Sequence, residues 1–217
     1  MSTPALVPAG DPAQGTRRLA LVMSDHAATT GAPPGVDPAA FAAACLADSY
    51  EVLADLVGVT AGIVGAGEEV ADLLWPGSLQ LLPNPSLKAL AEPLTGRYDE
   101  LVLVPADVPD LPGLVLAKVF KALQHAEVCV APERGGRGGC VALGLRLPWP
   151  SWVVEDLDLD RDLLGELTSR APSRRAVAAG PDWHRLRSPD SVHRLDPGLE
   201  GWELTRSLLS AAAGPGR

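Results

Sequence analysis

The chain has 217 residues, enough for one α/β domain with a sizeable core. Its formal net charge of -9 argues against a nonspecific nucleic-acid binder. A hydrophobic content of 47% is ordinary for a globular protein, and no stretch approaches the roughly 20 apolar residues of a membrane helix. Cys45, Cys129 and Cys140 lie far apart among apolar neighbours, which points to reduced thiols in a cytoplasmic protein. His26, His125, His184 and His193 are scattered and show no zinc spacing. The first residues lack a basic region followed by an apolar core, so no signal peptide is expected.

Residues 1–17 open with a stretch rich in Pro, Ala and Gly and read as a disordered tail, ahead of a single domain over residues 18–213. Arg18–Met23 is a first buried strand. The loop SDHAATTGAPPG, Ser24 to Gly35, follows it and offers hydroxyls and backbone amides but no Lys or Arg. In a doubly wound sheet this loop receives nucleotide phosphates; a plain flexible connection is the other reading. Asp37-Pro38 supplies an N-cap acceptor and a first-turn proline for a helix running to about Leu56. Strand Thr60–Gly65, helix Glu68–Leu74, strand Leu79–Leu82 and helix Pro85–Leu94 come next. This alternation predicts a three-layer α/β fold: a mostly parallel, Rossmann-like sheet with right-handed crossovers and helices on both faces.

Asp99 to Arg146 carries the chemistry. Leu101–Pro105 is a continuous apolar run of the kind that forms a strand covered on both faces. It ends in Ala106-Asp107-Val108-Pro109-Asp110, which puts carboxylates just beyond the carboxyl end of that strand, where open α/β sheets bind ligands. Asp107 reads as a ligand or as a turn carboxylate capping the next helix, Leu114–Leu123; Asp110, nearer that helix, suits capping better. Strands Val128–Ala131 and Val141–Leu147 flank the segment Pro132-Glu133-Arg134-Gly135-Gly136-Arg137-Gly138-Gly139-Cys140. Arg134 and Arg137, with Gly135, Gly136 and Gly138 around them, read equally as a phosphate cradle and as a hairpin with solvated charges. Cys140 reads as a packing thiol.

Beyond Leu147 the pattern weakens. Glu155 to Asp162 is an acidic run best read as the solvated start of a helix, Arg161–Ser169, because successive carboxylates alternate in direction. Arg170–Arg187, with arginines at 170, 174, 175, 185 and 187, reads as a surface loop and a short strand. A last helix is predicted from Leu199 to about Ala212, with Trp202 on its core face; Trp152 is likewise given to packing.

Two of these segments resemble the nucleotidyltransferase branch of the type-A glycosyltransferase fold. LVLVPADVPDLPG resembles the strand-and-carboxylate signature of molybdenum-cofactor guanylyltransferase-like proteins. APERGGRGGCVALGLRLP resembles the glycine-rich segment of phospholactate or phosphoenolpyruvate guanylyltransferases. The resemblance is clear over Asp99–Pro148, about a quarter of the chain. It implies a nucleotide-diphospho-sugar transferase-like fold and a magnesium ion held by Asp107, with Asp196 as the second carboxylate. It also implies phosphate contacts from the glycine-arginine segment and from Lys88. The implied reaction is attack by a small phosphorylated metabolite on the α-phosphorus of a nucleoside triphosphate, GTP being favoured, with release of pyrophosphate. Homo-oligomers are compatible with it.

The chain departs from the family pattern in its cation-free first loop and in Gly138-Gly139-Cys140, where the family carries Gly-Thr-Asn. Those departures keep two alternatives open, a fold relative with a binding or regulatory role and a glycosyltransferase using a sugar nucleotide.

Overall fold

Alternation within the buried strands divides the core into two faces. In the first strand, β1 (Arg18–Met23), Ala20 and Val22 point to one side of the sheet while Leu19, Leu21 and Met23 point to the other. The computed structural model describes residues 15–135, 138–155 and 157–213. Ahead of β1, the Arg17 guanidinium and backbone N–H both donate to the Asp99 carboxylate, anchoring the entry to the sheet.

Helix α1 (Pro38–Ala54) starts as its sequence dictates, with the Asp37 side chain accepting from the Ala40 N–H and Pro38 in the first turn. Next come β2 (Val59–Val64), α2 (Glu68–Leu73) and β3 (Leu79–Leu81). Ser86 caps α3 (Leu87–Ala91), and the chain tightens into a 3-10 turn over Glu92–Leu94, where Pro93 cannot continue the α-helical ladder. Strand β4 (Glu100–Pro105) is buried at every position, as its continuous apolar run requires. Then follow α4 (Gly113–Leu123), β5 (Val128–Pro132), β6 (Cys140–Arg146), α5 (Leu163–Arg170), β7 (Val177–Ala179) and α6 (Glu203–Ala213).

Among the described residues the strands form one seven-stranded sheet in the order β3-β2-β1-β4-β6-β5-β7. β6 runs antiparallel to both of its neighbours, and every other pairing is parallel. Helices α1, α2 and α4 cover one face through residues such as Leu53, Val70 and Leu116. On the other face α3 and α5 contribute Leu90 and Leu167. The predicted three-layer, mostly parallel architecture is the observed one. No helix among the described residues is long and apolar enough to cross a membrane.

A third, smaller cluster sits at the carboxyl edge of the sheet: Ala28, Phe41, Cys45, Leu186, Leu195 and Trp202. It fastens α6 and the segment before it to the start of α1. The last helix begins at Glu203, later than the predicted Leu199, because buried Asp48 of α1 fixes its first turn from outside. The Asp48 carboxylate accepts from the backbone N–H of Leu204 at 3.1 Å and of Thr205 at 2.7 Å. These are helix-terminal donors that would otherwise lack partners.

Asp48→Ala strips that cap from a buried site and should lower unfolding stability by about 2 kcal/mol. Asp48→Asn, which keeps one acceptor oxygen, should lose less. Urea denaturation of both variants checks this, and unchanged midpoints would show that α6 is held by packing alone.

Candidate functional site

The order β2-β1-β4 reverses direction at β1, and the crevice at such a reversal is where doubly wound sheets bind ligands. A cleft of about 480 Å³ opens there, lined by Asp25, His26, Ala27, Thr30, Asp107, Asp160, Arg185 and Arg187. The first four belong to the loop after β1, and Asp107 stands two residues beyond β4. The other three come from segments read as surface in the sequence.

Arg185 is the organising group. It is buried, and its Nε donates to Asp107 Oδ1 at 2.7 Å. Nη1 donates to Asp160 Oδ1 at 2.7 Å and to the Leu159 carbonyl at 3.1 Å, with the Cys140 carbonyl at 3.4 Å. Nη2 has no hydrogen-bond partner among the described residues. Arg187 also donates to Asp160, and its Nη1 lies 3.4 Å from Glu133 Oε2 and 3.5 Å from the Gly138 carbonyl.

Backbone alternation explains why one short segment serves two purposes. Leu186 points into the carboxyl-edge cluster, its N–H donates to the Asp107 carbonyl at 2.9 Å, and the arginines on either side reach Asp160. The acidic run alternates in the same way. Leu157 and Leu159 are buried, and Asp158 and Asp160 are exposed. Asp160 is thereby a cleft residue, which corrects its reading as part of a solvated helix start. Only Asp162 caps the helix, accepting from the Gly165 N–H at 3.0 Å. Arg185, expected in a surface loop, is corrected to a buried residue for the same geometric reason.

The first loop lies close against these arginines. Gly31 sits where a Cβ would come within 2.2 Å of the Leu186 carbonyl oxygen, so only glycine allows the contact. On the opposite side Gly139 has φ +101°, and a Cβ there would lie 2.7 Å from Arg187 Nη2.

Charges in the cleft shift one another. The neighbouring His26 imidazole, with help from Arg185 and Arg187, holds the Asp160 carboxyl far below its usual range. Burial would lower the His26 imidazole, but Asp160, with its Oδ2 3.4 Å from Nδ1, outweighs burial and raises it. Burial pushes the Asp107 carboxyl up, and the Arg185 guanidinium works against that push. Burial also raises Glu133, whose Oε2 is buried without a hydrogen bond.

The residues expected to act together are not all together. Asp107 lies in the cleft. Asp196 does not: its carboxylate accepts from the Gly198 N–H at 2.8 Å, closing a tight turn. Its backbone N–H donates to Asp110 Oδ2 at 3.1 Å. Asp110 is not a helix cap, since α4 has no side-chain cap. Its buried carboxylate instead takes the Trp183 indole N–H at 3.2 Å, and His184 Nε2 lies 3.0 Å away, off the hydrogen-bonding direction. Lys88 pairs with Glu155, and Arg134 pairs with Asp182 and stacks over Trp183; neither lines the cleft. Gly135 faces Arg194, and Gly138 offers its carbonyl to Arg187. Gly136 and Arg137 lie outside the described residues. Cys140 is fully buried, as a packing thiol should be.

A resident magnesium ion does not fit this donor set. A hard dication wants several oxygen ligands around it. Here one oxygen of Asp107 is taken by a guanidinium, Asp196 is turned away, and no group of three or more His, Cys, Asp or Glu among the described residues is arranged to hold a metal.

Two predictions follow from the network. Arg185→Met leaves Asp107 buried without its partner and should cost about 3–5 kcal/mol in chemical denaturation. Adding Asp107→Asn to that variant should recover part of the loss, and a strictly additive double variant would refute the coupling. Because the folded pKa of His26 is raised, its contribution to stability is complete below the unfolded value near 6.5. That contribution fades as pH rises through the folded pKa. His26→Gln should flatten this decline in melting temperature measured from pH 6 to 9; an unchanged profile would remove the imidazole from the network.

No family model and no curated protein matches the sequence. Solved structures do resemble it in three dimensions. A nucleotide-diphospho-sugar transferase candidate from Desulfovibrio desulfuricans superposes with a TM-score of 0.62 at 17% identity, covering 92% of this chain and 98% of its own. The 4-diphosphocytidyl-2C-methyl-D-erythritol synthase of Anaerococcus prevotii gives 0.54 at 8% identity, over 84% and 97%. Glucosyl-3-phosphoglycerate synthase of Mycobacterium tuberculosis, solved with manganese, UDP and phosphoglyceric acid, gives 0.51 at 13% identity, over 93% and 80%. With the sheet order and the cleft at its reversal, these likenesses show that the chain has the nucleotidyltransferase-like, type-A glycosyltransferase fold.

Proposed function

We propose that this protein is a transferase that binds a nucleotide in the cleft between the loops after β1 and β4 and passes part of it to a small phosphorylated acceptor. The observation that carries the reading is the convergence of Asp107, Arg185 and Arg187 with the first loop at the sheet's reversal point. The loop has no Lys or Arg of its own, and the arginines of a distant segment would supply the permanent charge a phosphate needs.

In the nucleotidyl form, an acceptor phosphate oxygen bonds to the α-phosphorus of a nucleoside triphosphate. The bridging bond to the β-phosphate breaks, and pyrophosphate leaves. This chemistry asks the protein for positioning and charge neutralisation rather than for a nucleophile. Arg187 and Nη2 of Arg185, which has no partner among the described residues, would meet the phosphate charge, and backbone N–H groups of the first loop would orient it. GTP as donor, and hence guanylyl transfer, rests on the resemblance of the Asp99–Pro148 segment. Magnesium enters this reading only as a companion of the triphosphate in solution.

Glycosyl transfer from a sugar nucleotide is favoured by the likeness to glucosyl-3-phosphoglycerate synthase and would release a nucleoside diphosphate instead. A binding role without turnover is favoured by the pairing of both arginines with carboxylates inside the cleft.

Thermal melting with a panel of nucleoside triphosphates and sugar nucleotides tests the reading. A true ligand at a hundredfold excess over its dissociation constant adds about 2.7 kcal/mol to stability. Arg187→Ala should weaken that ligand by about tenfold or more, the worth of a charged hydrogen bond. Pyrophosphate or nucleoside diphosphate among the products names the reaction, and binding without product assigns the silent role. No shift with any nucleotide would sink the proposal.

A further inference from the structure

Oxygens meet the Arg185 guanidinium at Nε and Nη1. Asp107 Oδ1 and Asp160 Oδ1 at 2.7 Å are joined by the carbonyls of Leu159 at 3.1 Å and Cys140 at 3.4 Å. Two carboxylates and two carbonyls are the donor types a hard divalent cation selects, at 2.0–2.6 Å from the metal. Here the distances run to Nε for Asp107 and to Nη1 for the other three, so the oxygens are spread around a planar organic cation in a space larger than a bare metal ion would fill. That cation is anchored from its own backbone, because Leu186, next in the chain, is buried in the carboxyl-edge cluster and bonded to the Asp107 carbonyl. A guanidinium keeps its charge at any pH the protein will meet.

We propose that Arg185 takes the place of a divalent cation in this cleft. The wild-type protein then holds no resident dication, and removing the guanidinium uncovers a latent metal site bounded by Asp107, Asp160 and the carbonyls of Leu159 and Cys140. A corollary rests on the functional reading above: the phosphate charge of a bound nucleotide is met by Arg185 and Arg187, and binding persists without metal.

The experiment is a manganese titration followed by the electron paramagnetic resonance signal of free Mn2+. The wild-type protein should leave the signal unchanged at equimolar concentration. Arg185→Ala, verified as folded by circular dichroism, should bind Mn2+ at least tenfold more tightly, and Asp107→Asn in that background should abolish the gain. Wild-type protein that removes the signal, with Asp107→Asn restoring it, would overturn the proposal. A folded Arg185→Ala protein as indifferent to Mn2+ as the wild type would overturn it equally. Should Arg185→Ala not fold, the wild-type titration decides alone.

The corollary is read from the nucleotide-induced melting shift with and without EDTA, which should agree within twofold in apparent affinity; loss of the shift in EDTA overturns it. Absence of any nucleotide shift would sink the functional reading while the Mn2+ titrations still decide the cation question.

Discussion

The carboxyl edge of this sheet depends on one buried cation. Moving an ion out of water costs several kcal/mol, and an ion pair repays that cost only when the remaining hydrogen-bonding positions are also filled. Arg185 meets that condition at Nε and Nη1, with two carboxylates and two carbonyls drawn from the end of β4, the start of β6 and the segment ahead of α5. Parts of the chain far apart in sequence converge on one planar group, so none of them can shift without leaving a buried charge short of a partner. The first loop leans on the same assembly through Gly31, whose missing side chain lets it settle on the Leu186 carbonyl.

Much of the fold is written locally. β4 is apolar at successive positions and covered on both faces, and Asp37-Pro38 caps α1 as such a pair should. Where the sequence reading misplaces a boundary, a tertiary contact is responsible. α6 starts at Glu203 because Asp48, more than 150 residues earlier, accepts its first free N–H groups.

The site is less legible because its chemistry is assembled across distance. Asp107 is recognisable from its place after a buried strand, but nothing local announces that Arg185 will be its partner. The available signal was period-two alternation. Leu157-Asp158-Leu159-Asp160 and Arg185-Leu186-Arg187 each place apolar residues toward a cluster and charges on the opposite side. Read as loops, such stretches have no direction; read as extended segments, they aim Asp160 and both arginines at one point. The absence of Lys and Arg from the first loop was a second signal, since a phosphate site there must borrow its permanent charge from elsewhere. Asp196 and Lys88 illustrate the converse. Each lies near a plausible position in the order of elements, and each is occupied in the structure by a neighbour, the Gly198 N–H and the Glu155 carboxylate.

Pairing inside the cleft also sets what binding must involve. Arg187 has carboxylate neighbours in Asp160 and Glu133, so on the proposed reading an arriving phosphate competes with them for the guanidinium. Glu133 is the weaker competitor, because burial already raises its pKa and no donor bonds its Oε2. Asp160 is the stronger, but it is half exposed and has a further partner in His26. A phosphate that draws Arg187 away leaves Asp160 with Arg185 and with an imidazole whose protonation it favours. The cost of separating Asp160 from Arg187 is thereby limited at the pH values where His26 is charged and grows as the imidazole loses its proton. Anion binding and imidazole protonation are linked through a single carboxylate, and each must strengthen the other.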